Sequence, residues 1–171
     1  MILIRKEEQK DHEDVQKIND LAFGQPVEGE IVEKIRSSCD EIISLVAEED
    51  NNVVGHIFFS PVKIKTDNGE VKGMGLAPMA VHPDFQNKGI GSLLVEEGLK
   101  IVKELSYPFV IVLGHENYYP RFGFEPASKF GIKCQWDGIP DNVFMVIIYD
   151  EAIMKDVTGT AKYRDEFNEA M

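Results

Sequence analysis

Gln86-Asn87-Lys88-Gly89-Ile90-Gly91-Ser92 follows the apolar run Leu76-Ala77-Pro78-Met79-Ala80-Val81 and opens a helix-patterned segment that continues to Leu105. Strand, glycine loop and helix N-terminus in that order make a place for a phosphate. The N–H groups of a first helical turn have no partner within the helix, and the helix dipole adds partial positive charge there. Glycine at 89 and 91 lets the backbone approach a pyrophosphate with no side chain in the way. Lys88 points the same way: the dipole disfavours a cation at a helix start, so a bound anion explains it better than an idle surface charge.

Three phosphate-bearing ligands can be weighed against these residues. A Walker-type loop needs Gly-Lys followed by Ser or Thr, whereas the order here is Lys88-Gly89. A dinucleotide fingerprint needs a third glycine, where the chain has Leu94, and an acidic residue closing the next strand, where Phe109 to Leu113 runs into Gly114-His115. Coenzyme A is the third, its pyrophosphate held in a Gln-x-x-Gly-x-Gly loop. The segment from Ala80 through His82-Pro83-Asp84-Phe85 to Gly91 resembles the acetyl-CoA motif of the GNAT superfamily of N-acetyltransferases. Tyr118-Tyr119-Pro120-Arg121-Phe122-Gly123-Phe124 looks like that family's second signature, Tyr-x-x-x-Gly-Phe, one strand downstream.

Outward from these motifs, the pattern predicts a short strand at Ile2 to Arg5 and a helix capped by Asp11 that ends at Gly24. A second helix spans Pro26 to Ser38. Strands at Ile42 to Glu48 and Val53 to Lys65 flank the turn signal Asp50-Asn51-Asn52, and a third antiparallel strand covers Val71 to Val81. The helix from Lys88 is expected to bury Ile90, Leu93, Leu94, Ile101 and Leu105. Phe109 to Leu113 reads as a central strand covered on both faces, Glu116 to Phe122 as a short helix, and Val143 to Tyr149 as a last strand. In the polar tail, Tyr163 and Phe167 fall on one helical face. This is an α+β order. The resemblance implies a GNAT-type mixed, mostly antiparallel central sheet of about six to seven strands flanked by helices and splayed between the fourth and fifth, in a single domain over residues 1–171.

Composition narrows the function. Net charge is −12, which argues against nucleic acid as a partner. Residues 1–50 hold 14 acidic and 6 basic groups, against 16 and 12 in the remainder. The surplus is either solvated helix surface or an acidic wall that draws an amine. No apolar run reaches membrane-spanning length and no signal peptide is evident. Cys39 and Cys134, far apart and without histidines at ligand spacing, support neither a disulfide framework nor a metal site, so a reducing cytoplasm is expected.

The resemblance implies a site. Backbone groups of Gln86, Asn87, Lys88, Gly89, Ile90, Gly91 and Ser92 would hold the pyrophosphate of acetyl-CoA, with Met79, Ala80 and Val81 along the pantetheine arm and Asn117 hydrogen-bonding it. Tyr119 takes the place of a general acid facing the thioester sulfur, with Tyr118 its competitor, because adjacent residues of a helix do not face the same way. The base is open. Residues 73–81 contain no carboxylate, and the candidates are His115, Glu116, His82, Glu28 and Glu30. The implied activity is N-acetyl transfer to a primary amine of a small molecule or peptide by direct attack on the thioester, with a homodimer as an open expectation. The alternative is a CoA- or acyl-CoA-binding sensor without turnover. The segment Phe130 to Asn142, which carries the only tryptophan, Trp136, and the first two helices are expected on the acceptor side.

Overall fold

Asp50 and Asn51 take φ of 51° and 66°. A two-residue hairpin turn requires this left-handed pair, and Asn and Asp tolerate it better than most residues. The turn joins β2 (Ile43–Glu49) to β3 (Asn52–Thr66), antiparallel with Val46 opposite His56. β1 (Ile2–Lys6) adds to the other edge of β2, with Ile4 opposite Ala47. The computed structural model describes residues 1–171. The chain divides into two compact units, one of Met1–Phe59, Ala77–Lys100 and Glu166–Met171, the other of Ser60–Leu76 and Ile101–Asp165.

In the first unit, α1 (His12–Phe23) ends on Gly24, whose φ of 69° closes the helix. α2 (Val27–Ser38) starts just after Pro26. Val15 and Ile18 of α1 and Ile31, Val32 and Ile35 of α2 are buried, so each helix turns one apolar stripe inward. The third helix, α3 (Ile90–Glu104), starts two residues later than the pattern suggested. It buries Ile90, Leu94, Val95, Leu99 and Val102, while Leu93 and Leu105 stand 43% and 58% exposed, contrary to expectation. The inward stripe is set by glycine contacts that composition alone does not reveal. A Cβ on Gly55 of β3 would meet Leu94 Cδ1 at 3.1 Å and Ile90 Cγ2 at 3.2 Å, and one on Gly98 of α3 would meet Phe59 Cε1 at 2.4 Å. Removing side chains at these two places lets the helix lie close on the strand.

In the second unit, β5 (Phe109–Leu113) occupies the predicted residues, and its first four are at most 1% exposed. It pairs parallel with β4 (Gly69–Val81) and antiparallel with β8 (Phe144–Ile148). The β4–β5 ladder consists of Met74, Gly75 and Leu76 opposite Val110, Ile111 and Val112, and the strands are splayed beyond it, between the fourth and fifth as expected. Three further strands were not anticipated. They are β6 (Glu125–Pro126) on β8, β7 (Ile132–Cys134), and β9 (Gly159–Lys162) between β7 and β3. The hydrogen-bonded order is β1-β2-β3-β4-β5-β8-β6, with β9 on β3 and β7 on β9, giving nine strands rather than six or seven. A short helix, α4 (Glu151–Met154), follows β8, capped by the Asp150 carboxylate, which accepts from Ile153 N–H at 3.0 Å.

Two expectations near the C-terminal half are corrected. Residues 116–118 form a turn, and only Tyr119–Phe122 is helical, as a single 3-10 turn. Pro120 supplies no N–H, and the left-handed Gly123 (φ 102°) ends the segment. The tail is not one amphipathic helix: Tyr163 follows β9, and Phe167 lies in the separate 3-10 turn Asp165–Ala170. Both rings are nonetheless buried.

Candidate active site

The loop between β4 and α3 belongs to the first unit. Pro83–Phe85 forms a 3-10 turn in which His82 Nδ1 accepts from Asp84 N–H at 3.1 Å and His82 O accepts from Phe85 N–H at 2.8 Å. Gln86 Nε2 donates back to Val81 O at 3.0 Å, so its amide shapes the loop. Lys88 Nζ rests 5.3 Å above the Phe85 ring. Asn87 (φ 63°) and Gly89 (φ 83°) are both left-handed, and residues 86–89 are exposed. Leu93 N–H donates to Gly89 O at 3.2 Å, the first rung of α3, so the N–H groups of Ile90 and Gly91 precede the helical ladder. Alternating left-handed residues ahead of a helix start turn successive N–H groups into one concavity, a shape that takes anions.

The side chains of that first turn sharpen the argument. Each of the other α-helices carries carboxylates there: Glu13 and Asp14 in α1, Glu28 and Glu30 in α2, Glu151 in α4. Such groups neutralise the positive end of a helix dipole. In a chain with net charge −12, α3 alone has none. Its positive end has no carboxylate of its own first turn to meet it. Behind the loop, Ala80 is 3% exposed, with Met79 and Val81 half-buried.

Tyr119, His115 and Asn117 belong to the second unit. His115 O accepts from the N–H groups of Tyr118 (3.1 Å) and Tyr119 (3.3 Å). This winds the turn that separates the two tyrosines. Tyr118 is half-buried, with the Arg121 guanidinium 4.5 Å over its ring. Tyr119 is 7% exposed and packs edge-on against Phe124 at 5.6 Å. Its ring fills the space beside Gly114, where a Cβ would stand 2.3 Å from Cε2. Burial, and then the neighbouring Tyr118, push its phenol well above the ordinary range. It therefore keeps its proton at neutral pH and has an O–H to donate. The side chains of His115, Glu116 and Asn117 are exposed.

The other base candidates are scattered. Glu28 accepts from Gln25 Nε2 at 2.9 Å, Glu30 is exposed on α2, and His82 caps its own turn. Part of the acidic surplus is consumed in ion pairs: Asp11 with Arg5 at 2.7 Å, Glu7 with Arg36 at 2.7 Å, and Glu169 with Lys34 at 2.7 Å. A neighbour of β4 that sequence reasoning did not foresee is Tyr163. It lies against Gly75 of β4, on the strand where a carboxylate was sought; a Cβ on Gly75 would come within 2.8 Å of Tyr163 Cε2.

The acetyltransferase (GNAT) domain model matches residues 3–127. The N-acetyltransferase YhbS of Escherichia coli K12 is 32% identical over 168 residues, covering 98% of this chain and 99% of its own. The chain belongs to the GNAT acetyltransferase family. Two solved GNAT structures share its fold over 98% of its length at 32% identity. They are E. coli YhbS in complex with CoA (TM-score 0.88, 92% of that chain covered) and a Brucella melitensis acetyltransferase in complex with acetyl-CoA (TM-score 0.80, 98% covered). Family membership makes this protein an acyltransferase. No helix is long and apolar enough to cross a membrane.

Proposed function

We propose that this GNAT enzyme transfers the acetyl group of acetyl-CoA to a primary amine of a small molecule or peptide, by direct attack of the amine on the thioester, as one catalytic domain over residues 1–171. The acetyl donor is acetyl-CoA, and the GNAT relatives crystallised with CoA and acetyl-CoA support this. The observation that carries the reading is the first turn of α3, bare of carboxylates behind an exposed left-handed loop.

The residues fit the donor. Backbone N–H groups of the segment from Gln86 to Ser92 would hold its diphosphate, main-chain groups of Met79, Ala80 and Val81 would run beside the pantetheine arm, and Asn117 would hydrogen-bond that arm. Acetyl-CoA supplies an activated acetyl group, whose transfer forms a C–N bond as a C–S bond opens. Tyr119 offers its phenolic O–H to the sulfur as negative charge develops there. His115, exposed to solvent, serves as acceptor of the amine proton. Direct attack is favoured over an acyl-enzyme because neither cysteine suits a nucleophile: both are half-buried, and burial pushes the Cys134 thiol up. Free cysteines also fit a reducing cytoplasm.

One observation favours a second reading, a CoA sensor without turnover: residues 73–81 carry no carboxylate to act as base. A mass-shift screen of amines with purified protein and acetyl-CoA, alongside thiol release, separates the two. An acetylated amine with stoichiometric thiol supports transfer. CoA binding with no product across the panel supports the sensor.

A further inference from the structure

In the second unit, Lys63 of β3 stands directly opposite Lys162 of β9. Residues paired in this way point to the same face of a sheet, and like charges placed so destabilise the ladder. Lys65, two residues along β3, shares the face of Lys63, because side chains alternate along a strand. On β9, Thr160 shares the face of Lys162 for the same reason, and it is paired with Lys133 of β7. All four lysines are exposed. Their neighbours Ile64, Ala161 and Ile132 turn the other way and are at most 2% exposed. Neighbouring strands lie about 4.8 Å apart and alternate residues about 7 Å along a strand, so the four lysine Cα atoms fall within about 10 Å by 7 Å.

This arrangement runs against the composition of the chain. With 30 acidic and 18 basic side chains, a carboxylate is the commoner charge, and one opposite Lys63 would stabilise the ladder. Glu70 of β4 lies 3.5 Å from Lys63, but both groups are more than half exposed, so the pair neutralises little. Lys65, Lys133 and Lys162 take part in no ion pair. At 0.1 M salt, exposed charges act over about 10 Å, so a short partner feels this face more than the net −12 of the chain.

We propose that the outer face of β3, β9 and β7 docks an acidic polypeptide segment, whose carboxylates meet the ammonium groups of Lys63, Lys65, Lys133 and Lys162. An extended segment repeats its side chains about every 7 Å on one face, which is the spacing of Lys63 and Lys65. A nucleic acid fits less well. The face offers lysines and Thr160 but no aromatic ring on which a base could stack. A phosphate backbone also carries its charge beyond the patch, where the net −12 of the chain repels it. The surface uses neither the loop before α3 nor Tyr119, and it stands whether or not the chain turns over.

The test is fluorescence anisotropy with the full-length protein and a short fluorescein-labelled peptide of alternating glutamate and threonine. The wild type should bind it, with affinity falling at least about threefold between about 50 and 200 mM NaCl. Lys133→Glu/Lys162→Glu should lose at least about tenfold in affinity. Lys100→Glu/Lys103→Glu, an equal change of net charge on exposed positions of α3, should lose less than about twofold. Lys162→Glu alone sets a carboxylate opposite Lys63, and should raise the melting temperature by up to about 4 °C while weakening the peptide. Lys133→Gln/Lys162→Gln should lose about threefold and keeps the test alive if the reversed pair does not fold. No binding by the wild type, equal binding of the matching glutamine peptide, equal loss in the α3 pair, or a melting temperature lowered by Lys162→Glu would overturn the proposal. Tighter binding of an oligothymidine of the same charge would overturn it too, by giving the face to nucleic acid.

Discussion

Tyr119 and Gly114 share one space: the Tyr119 ring occupies the volume that a side chain at 114 would need, to within 2.3 Å of Cε2. The ring is therefore placed by backbone, not by a flexible neighbour, and its phenol is held protonated by burial.

A hydroxyl fixed in this way makes Tyr119→Phe a nearly isosteric deletion. It should lower kcat about a hundredfold, within the usual range for a positioned acid, while KM for acetyl-CoA changes by less than about twofold. Tyr118→Phe should stay near wild type, because that ring is half-buried and stacked under Arg121. Steady-state kinetics of both variants decide the matter: a larger kcat loss in Tyr118→Phe reverses the assignment.

Which parts of the chain were legible follows from the range of the interactions that make them. The loop was readable because strand, glycines and helix start are contiguous, and local backbone conformation follows local residue type. The segment of Tyr119 stood out by its spacing from Gly123 and Phe124, and β5 by five apolar residues in a row. The inward face of α3 was misread because Gly55 and Gly98, distant in sequence, decide which side of the helix meets β3. Strands β6, β7 and β9, of two to four residues, are too short for any alternation to show, and long-range pairing alone defines them. The place of Tyr163 escaped for the same reason: its ring packs on Gly75, distant in sequence.

The bare helix start gives a prediction in which stability and affinity move in opposite directions. Gly91 lies in the first turn of α3 without positive φ, so its backbone suits an L residue. Gly91→Glu should stabilise the free protein by about 1 kcal/mol through helix propensity and the dipole. The same carboxylate repels a diphosphate, and CoA affinity should fall at least about tenfold. Denaturant melts and calorimetric titration with CoA test the two arms. Undiminished affinity would show that the diphosphate is held elsewhere.

Close packing of α3 on β3 predicts a cost with no functional component. In Gly98→Ala the new methyl would lie 2.4 Å from Phe59 Cε1, and that ring is wholly buried. Overpacking of this kind destabilises by about 1–3 kcal/mol. A melting temperature lower by about 2–10 °C, with the kcat of the remaining folded enzyme unchanged, is expected for a domain of this size. A melting temperature at or above wild type would show that Phe59 can step aside.

His56 predicts how the first unit fails in acid. Its ring is wholly buried on β3, with Asn19 Nδ2 at 3.3 Å from Nδ1 and Ser44 Oγ at 2.9 Å from Nε2. The Asn19 amide donates, so Nδ1 accepts and Nε2 carries the hydrogen, which defines a neutral ring. Burial, reinforced by the Arg36 charge, lowers its pKa to about 3. Glu7, 4.0 Å from Nε2, does not offset this, because Arg36 already holds its carboxylate at 2.7 Å. Between about pH 3 and the ordinary histidine value near 6.5, the unfolded chain binds a proton here that the folded chain refuses. Stability from this residue is therefore complete above about pH 6.5 and is lost as pH falls below it, by up to about 1.4 kcal/mol per unit. The carboxylates act lower: Asp11, held below the usual range chiefly by its hydrogen bond from Arg5, loses its contribution only below about pH 4. His56→Gln keeps hydrogen-bonding capacity without the titration. Its unfolding free energy should be flat between pH 6.5 and 5, where the wild type declines. Parallel declines in the two proteins would show that another group governs that window.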